Sequence, residues 1–136
     1  MDLLKPTLYL IRGVSGAGKS TFGERLLSKG VVDVQFEADD YFVTERGDYF
    51  FNSSLLGRAH HTCKVHTLAY LLTGKSVAVS NTSTGCADVE TYQQIAKDCG
   101  ANFVSIIVEN RNDTKSIHSV PEKTLERQRA RFNIKL

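Results

Sequence analysis

The most chemically specific stretch of the sequence is GVSGAGKS, at residues 13–20. It matches the spacing G-x-x-x-x-G-K-[ST] at every position and follows the apolar run at residues 8–11, with only Arg12 between them. Glycines at this spacing let the backbone curl, so that successive N–H groups can point at phosphate oxygens. A lysine ammonium can then reach the β- and γ-phosphates, and a serine hydroxyl can ligate Mg²⁺. The stretch therefore predicts a site for the phosphates of a nucleoside triphosphate.

The residues of this glycine-rich loop have separate predicted roles. Lys19 is expected to contact the transferred phosphate, and Ser20 is expected to ligate the metal. The positive end of a helix that begins near Lys19 would add to phosphate binding. A dinucleotide site is disfavoured, because its glycines follow G-x-G-x-x-G. A flexible turn without a ligand is the alternative. The other predicted nucleotide contacts are Gly13, Ser15, Gly16, Ala17, Gly18 and Thr21.

Adjacent carboxylates follow the second predicted strand, in the stretch EADDY at residues 37–41. In a parallel sheet, the carboxyl end of this strand lies at the same edge as the glycine-rich loop. Asp39 is therefore predicted to accept a proton from an incoming hydroxyl, or to hold Mg²⁺ through water. Asp40 is predicted to lie at the substrate and to orient its neighbours. The same pair is also compatible with a purely structural role, ending a strand and capping a turn.

The stretch SNTST at residues 80–84 follows the third predicted strand. A motor ATPase or GTPase usually places an aspartate here, and this sequence has Asn81 instead. The sequence also lacks the Asn-Lys-x-Asp motif that reads guanine, which further weakens the GTPase interpretation. Asn81 and Thr82 are predicted to bind substrate or to position water near the metal. A plain polar turn is the alternative.

The C-terminal part of the sequence is basic, with seven Lys and Arg against three Asp and Glu over residues 111–136. The whole chain has a formal charge of only +2. Arg111 and Lys115 lie in a polar stretch at residues 110–120, which is predicted to be a mobile lid whose cations close over the triphosphate. Arg127 and Arg131 are four residues apart on a predicted last helix and are candidates for substrate contact. A solvated charged face is the alternative for all four.

Length and composition indicate one globular domain over residues 1–136. Apolar residues make up 41% of the chain and charged residues 24%. The three cysteines have no ligand-like spacing and are expected to be reduced thiols. The first residues do not have the pattern of a signal peptide, and no apolar run is long enough to span a membrane. We therefore expect a cytoplasmic protein without a membrane partner, while the oligomeric state stays open.

Predicted strands and helices alternate along the chain. Strands are predicted over residues 7–12, 31–38, 76–80 and 102–108, and helices over 19–29, 52–72, 88–99 and from about 119 onward. Residues 39–51 are predicted to be a loop with a turn at Gly47. This alternation predicts an α/β fold with a parallel sheet covered on both faces. The helix at residues 52–72 is expected to be capped by Asn52 or Ser53. Its predicted core face consists of Leu56, Ala59, Cys63 and Tyr70.

Taken in order, these motifs resemble the small P-loop kinases around phage polynucleotide kinase and their single-domain, ATP-binding relatives. The resemblance covers nearly the whole chain and rests on LIRGVSGAGKST, ADDYF, NTST and RNDTKSIHSVPEKTLERQRARF. It implies a four-stranded parallel sheet in the order 2-3-1-4. It also implies ATP and Mg²⁺ as cofactors, and transfer of the γ-phosphate to a hydroxyl, usually the 5′-OH of a nucleic acid. Carried over by position, Lys19 and Ser20 match the P-loop, Asp39 the general base, and Arg111 or Lys115 the lid cations.

Two positions depart from phage polynucleotide kinase. That enzyme has a substrate-gripping arginine three residues after its base, where this sequence has Phe42, and an acidic residue where this sequence has Asn81. The acceptor could therefore be a hydroxyl on a modified base within DNA, such as a hydroxymethylated base, or on a free nucleoside, nucleotide or other small molecule. Two other classes stay open. One is a nucleotide-binding switch, and the other is a nucleic-acid-binding accessory protein that uses the basic last helix. The resemblance also favours a phage-infected host cell as the setting.

Overall fold

A computed structural model describes residues 3–14, 16–82, 86–109, 124, 127 and 128. Four strands form one parallel sheet: β1 (Thr7–Arg12), β2 (Val34–Phe36), β3 (Val77–Ser80) and β4 (Asn102–Ile107). Their order across the sheet is β2-β3-β1-β4. The predicted fold class and strand order are therefore confirmed. In this order the carboxyl ends of β1, β2 and β3 lie side by side, and the polar motifs that follow these strands share one edge.

Three α-helices connect the strands: α1 (Lys19–Ser28), α2 (Leu56–Leu72) and α3 (Cys86–Asp98). Side chains alternate along β1, so that Leu8 and Leu10 pack in a core with buried residues of α2 and α3. Tyr9 and Ile11 point to the other face, where Phe22 of α1 packs. Helices therefore cover both faces of the sheet, and the core lies on either side of β1 and β3.

β2 is shorter than the strand predicted over residues 31–38, because residues at both of its ends make other contacts. The amides of Val31 and Val32 donate to the carbonyl of Leu26, at distances of 2.9 and 3.4 Å, and so close the end of α1. At the other end, Ala38 begins a 3₁₀ helix, Ala38–Phe42, which we call the acidic 3₁₀ helix. The carboxylates predicted to follow the strand are therefore held in a helical turn.

The buried stripe of α2 is only partly the predicted one. Ala59 and Cys63 are buried as expected, whereas Leu56 and Tyr70 are 38% and 41% exposed. The stripe continues through Thr67 and Leu71, at four-residue intervals. Tyr70 instead lies against Phe36 at the edge of the sheet, with ring centroids 5.4 Å apart. A second 3₁₀ helix, Ser53–Leu55, leads into α2, and the side chain of Asn52 caps it by accepting the Ser54 amide at 3.0 Å.

Residues 43–49, predicted to be loop, form a short hairpin after the acidic 3₁₀ helix. An antiparallel bridge joins Val43 to Tyr49, and Gly47 has a φ of 85° at the turn. Phe42 is 5% exposed and packs with Ala38 and Ala59 in a small separate core. The hairpin is therefore anchored to α2 through Phe42.

Among the described residues, no helix combines the length and apolar character needed to cross a bilayer. Cys63 and Cys99 carry free thiols. The thiol of Cys63 is buried, and this burial raises its pKa.

Gly23 on α1 provides a test of how this helix is seated on the sheet. A Cβ at Gly23 would come within 2.4 Å of Gln35 Nε2 and 2.9 Å of Ser80 Oγ. The Gln35 amide would have to move and lose its bonds to the Ser20 carbonyl and the Ser80 hydroxyl. We expect Gly23→Ala to lower the free energy of unfolding by about 1–2 kcal/mol, as measured by urea denaturation.

Gly57→Ala is the matched control. No atom lies within 4 Å of a Cβ at this helical position, so the same substitution should raise stability by up to about 1 kcal/mol. Equal stabilities of the two variants would show that α1 is not seated on Gln35 as described.

Candidate phosphate-binding site and acidic helix

The glycine-rich loop connects β1 to α1 and depends on glycine at three positions. Gly16 and Gly18 have φ angles of 81° and 98°, which side chains rarely adopt. Gly18 is the residue immediately before α1. A Cβ at Gly13 would lie 2.7 Å from the carbonyl oxygen of Val108, so the loop passes too close to the end of β4 for any larger residue. The curled backbone ahead of a helix N-terminus suits an anion.

Lys19 extends back over this loop. Its ammonium donates to the carbonyl of Val14 at 3.0 Å. Burial lowers the pKa of Lys19 to about 8, while the charges of Glu37 and Asp39 oppose this shift. The ammonium is therefore still mostly protonated at pH 7, and it faces both the loop and the acidic residues after β2.

Ser20, the predicted metal ligand, donates its hydroxyl to Glu37 Oε2 at 2.6 Å. Within the described ranges, no group of three or more His, Cys, Asp and Glu side chains could hold a metal ion. A Mg²⁺ ion here would be held by the Ser20 hydroxyl together with phosphate oxygens of the nucleotide, a donor set that Mg²⁺ prefers. Of the other predicted contacts, Ala17 is buried and Thr21 is exposed on α1.

The acidic 3₁₀ helix is closed by its own carboxylates. The Glu37 side chain accepts from the backbone of Asp40, and Asp40 Oδ2 accepts the Glu37 amide at 3.0 Å. This is a capping box, so Asp40 caps a turn and helps to orient Glu37. Desolvation, and then the nearby charge of Asp39, raise the pKa of Asp40, although its bond to the Glu37 backbone opposes them. A contact of Asp40 with substrate stays a prediction.

Asp39 lies on the side of the acidic 3₁₀ helix where Lys19 and Tyr49 are found. The Tyr49 hydroxyl donates to Asp39 Oδ1 at 3.1 Å. The Asp39 charge also acts on Lys19, which places the loop ammonium and this carboxylate in one electrostatic environment. Sequence reasoning missed Tyr49, because it lies ten residues from Asp39 in a predicted loop and belongs to no motif. Only the hairpin brings the two side chains together.

Asn81 follows β3 and is 5% exposed. Its Oδ1 accepts the amide of Ala38 at 2.8 Å, and its Nδ2 faces Tyr92 Oη at 3.4 Å and Cys63 Sγ at 3.8 Å. The side chain therefore ties the end of β3 to the first residue of the acidic 3₁₀ helix. The carbonyl of the next residue, Thr82, lies 3.5 Å from the amide of Gly13. In the structure both residues join neighbouring segments, and a contact of either residue with substrate stays a prediction.

The predicted basic residues are only partly within the described chain. Arg127 is helical and exposed, and its guanidinium donates to Thr124 Oγ1 at 3.2 Å. Arg111, Lys115, Arg131 and the loop residue Ser15 lie outside the described residues, as does the predicted lid at residues 110–120. Their roles stay predictions.

Solved structures share this fold at low sequence identity. A chain of the Pnkp1/Rnl/Hen1 RNA repair complex matches with a TM-score of 0.71 and 15% identity, over 96% of this chain and 45% of that one. Kti12 of Chaetomium thermophilum, solved with ADP-AlF3, matches with a TM-score of 0.68 and 11% identity, over 93% and 80%. The APS kinase CysC of Mycobacterium tuberculosis, solved with AMPPNP and APS, matches with a TM-score of 0.57 and 19% identity, over 76% and 62%.

These similarities establish that the chain has the fold of P-loop kinases. No protein-family model matches the sequence. The chain spans less than two thirds of the APS kinase chain and less than half of the chain from the RNA repair complex. The shared fold does not distinguish the phage polynucleotide kinase group from other P-loop kinases.

The lowered pKa of Lys19 predicts that nucleotide binding depends on pH. The ammonium loses its charge as the pH rises through about 8, and its attraction for phosphate oxygens is lost with it. The affinity for a fluorescent ATP analogue, measured by titration, should therefore fall about tenfold between pH 7 and pH 9.

Lys19→Met should bind weakly at both pH values and lose this dependence. The matched control is Lys29→Met, since Lys29 is exposed at the other end of α1 and should leave the dependence unchanged. A wild-type affinity that stays constant from pH 7 to pH 9 would contradict the assignment of the ammonium to phosphate binding.

Proposed function

We propose that this chain is an ATP-dependent kinase that transfers the γ-phosphate to a hydroxyl of a nucleic acid. The observation that carries the proposal is the placement of Lys19 and Asp39. A loop suited to phosphates holds the ammonium, and the charge of the Asp39 carboxylate, in the acidic 3₁₀ helix after β2, acts on it. The first group can neutralise charge on the transferred phosphate, and the second can take the proton of the acceptor.

In the proposed reaction, the acceptor oxygen forms a bond to the γ-phosphorus while the bond from that phosphorus to the β-phosphate oxygen breaks. Asp39 accepts the hydroxyl proton, and ADP leaves. Lys19 balances charge on the phosphates, and the Ser20 hydroxyl would be a ligand of the metal when it is bound. Mg²⁺, when bound, would neutralise the β- and γ-phosphate oxygens. The protein contributes mainly positioning and charge stabilisation.

Known structures with this fold support ATP as the phosphate donor. The Mycobacterium tuberculosis APS kinase was solved with AMPPNP, and Kti12 with ADP-AlF3. In the proposed closed state, Arg111 or Lys115 covers the triphosphate, and Arg127 and Arg131 contact the acceptor. The basic excess of residues 111–136 supports an anionic partner.

Phe42 bears on which hydroxyl is the acceptor. It occupies the position of the substrate-gripping arginine of phage polynucleotide kinase, yet it is 5% exposed and packs with Ala38 and Ala59. It therefore cannot grip a polynucleotide end. The lack of an exposed arginine at position 42 favours a hydroxymethylated base within DNA over a plain 5′-OH as the acceptor. It also supports the second candidate, a kinase for a nucleoside, a nucleotide or another small molecule.

A panel of acceptors incubated with γ-labelled ATP and Mg²⁺ separates these possibilities. The panel includes 5′-OH DNA and RNA, hydroxymethylated DNA, and nucleosides. Label on any nucleic acid supports the proposal, and label only on nucleosides supports the second candidate. ATP binding without transfer to any acceptor would support a nucleotide-binding switch instead. Retention of DNA without ATP, with strong salt dependence, would support an accessory protein.

Asp39→Asn and Lys19→Ala test the two proposed groups. Each should lower turnover on the best acceptor by about a hundredfold or more, because one variant removes the proton acceptor and the other the phosphate cation. Asp48→Asn is the matched control, because Asp48 is exposed in the hairpin that follows the acidic 3₁₀ helix and should retain wild-type turnover. Near-normal transfer by Asp39→Asn would remove Asp39 as the base.

A further inference from the structure

We propose that Tyr49 is a positioning residue for Asp39, which it holds by a hydrogen bond so that the carboxylate faces the incoming hydroxyl. This inference rests on the proposed kinase function. The direct observation is the contact of 3.1 Å between the Tyr49 hydroxyl and Asp39 Oδ1. It assigns a role to the hairpin at residues 43–49, which otherwise contains none of the predicted site residues.

The contacts of the hairpin hold the Tyr49 side chain next to the acidic 3₁₀ helix. Its antiparallel bridge joins Val43 to Tyr49, and the amide of Phe50 donates to the carbonyl of Phe42 at 2.9 Å. The Tyr49 ring packs edge-on against the Phe42 ring, with centroids 6.3 Å apart. Since Phe42 is in the same 3₁₀ helix as Asp39, the phenol and the carboxylate are held by one packed unit.

The Tyr49 hydroxyl can remain a hydrogen-bond donor to Asp39, because it does not ionise near neutral pH. Burial, followed by the charge and the hydrogen bond of Asp39, raises the pKa of Tyr49 to about 12. The hydroxyl therefore keeps its proton throughout the range in which kinases work. It can stabilise the carboxylate and fix the direction of its oxygens without competing for the acceptor proton.

Among the residues that the structure describes, four titratable groups besides Tyr49 act near this carboxylate, and a test must separate them. Lys19 comes from α1, Glu37 and Asp40 from the start of the acidic 3₁₀ helix, and His60 from α2. Burial lowers the pKa of His60, so this ring gains its charge only in the acidic range. A pH profile of Tyr49→Phe is therefore recorded both alone and in a His60→Gln background.

Tyr49→Phe deletes the hydroxyl and keeps the ring that packs on Phe42. With the best acceptor, we expect kcat to fall about tenfold and the KM for ATP to change less than twofold, because the phosphate loop is untouched. The pH at which activity is lost on acidification should move upward, because a lost donor makes the charged carboxylate less favourable. A merely structural role would not move this limb of the profile, and the shift should persist with His60→Gln.

Tyr70→Phe is the matched control. It makes the same change at a partly exposed tyrosine on α2, and it should keep the wild-type kcat and pH profile. Circular dichroism on all variants checks that they are folded.

A second measurement needs no acceptor. In Asp39→Asn, Tyr49 should begin to ionise at a lower pH than in the wild type, as followed by NMR of its ring carbon bonded to oxygen.

The positioning role is overturned if Tyr49→Phe keeps wild-type kcat and pH profile, or if Tyr49 ionises identically with and without the Asp39 charge. A wild-type chain that binds ATP but phosphorylates no acceptor rejects the proposed function and this role with it. That outcome is distinct from an active wild type whose Tyr49→Phe variant is equally active.

Discussion

The candidate site depends on a lysine ammonium held in a place that is costly for a charge. Burial alone would favour the neutral form of Lys19, and the carbonyl of Val14 and the charges of Glu37 and Asp39 offset that cost. Without a nucleotide, these groups compensate the ammonium. The phosphate oxygens of a bound triphosphate would interact more strongly with the same ammonium. They could therefore replace these partners.

This balance requires the ends of three strands to be held in register. The parallel pairing of β1 with β3, and of β3 with β2, brings the loop and the acidic 3₁₀ helix to one edge. Asn81 then fixes their separation, because its buried amide oxygen accepts from the backbone at the start of that helix. A buried amide with internal partners on both of its polar atoms is costly to displace. The residue after β3 thus holds the start of the acidic 3₁₀ helix through the amide of Ala38.

The small core around Phe42 supports one side of the acidic 3₁₀ helix. One side of this 3₁₀ helix packs against α2, while Asp39 on another side contacts Tyr49 and faces Lys19. Rigid support of this kind limits the directions that a carboxylate can adopt, which matters for a general base more than its exposure does. The buried Phe42 therefore supports this helix and is not available for contact with an acceptor.

By itself, the sequence determined the glycine-rich loop, the alternation of strands and helices, and the order of the sheet, because these depend on local spacing and on a resemblance that spans the motifs. Lys19, Ser20 and Asp39 could be named as candidate site residues from the sequence for the same reason, and their roles stay predictions. Only the tertiary structure decided the partners of Asn81, the burial of Phe42 and the contact of Tyr49 with Asp39. The physical reason is that each of these depends on packing between segments distant in the chain or on a hairpin of one bridge, and neither leaves a periodic pattern in the sequence.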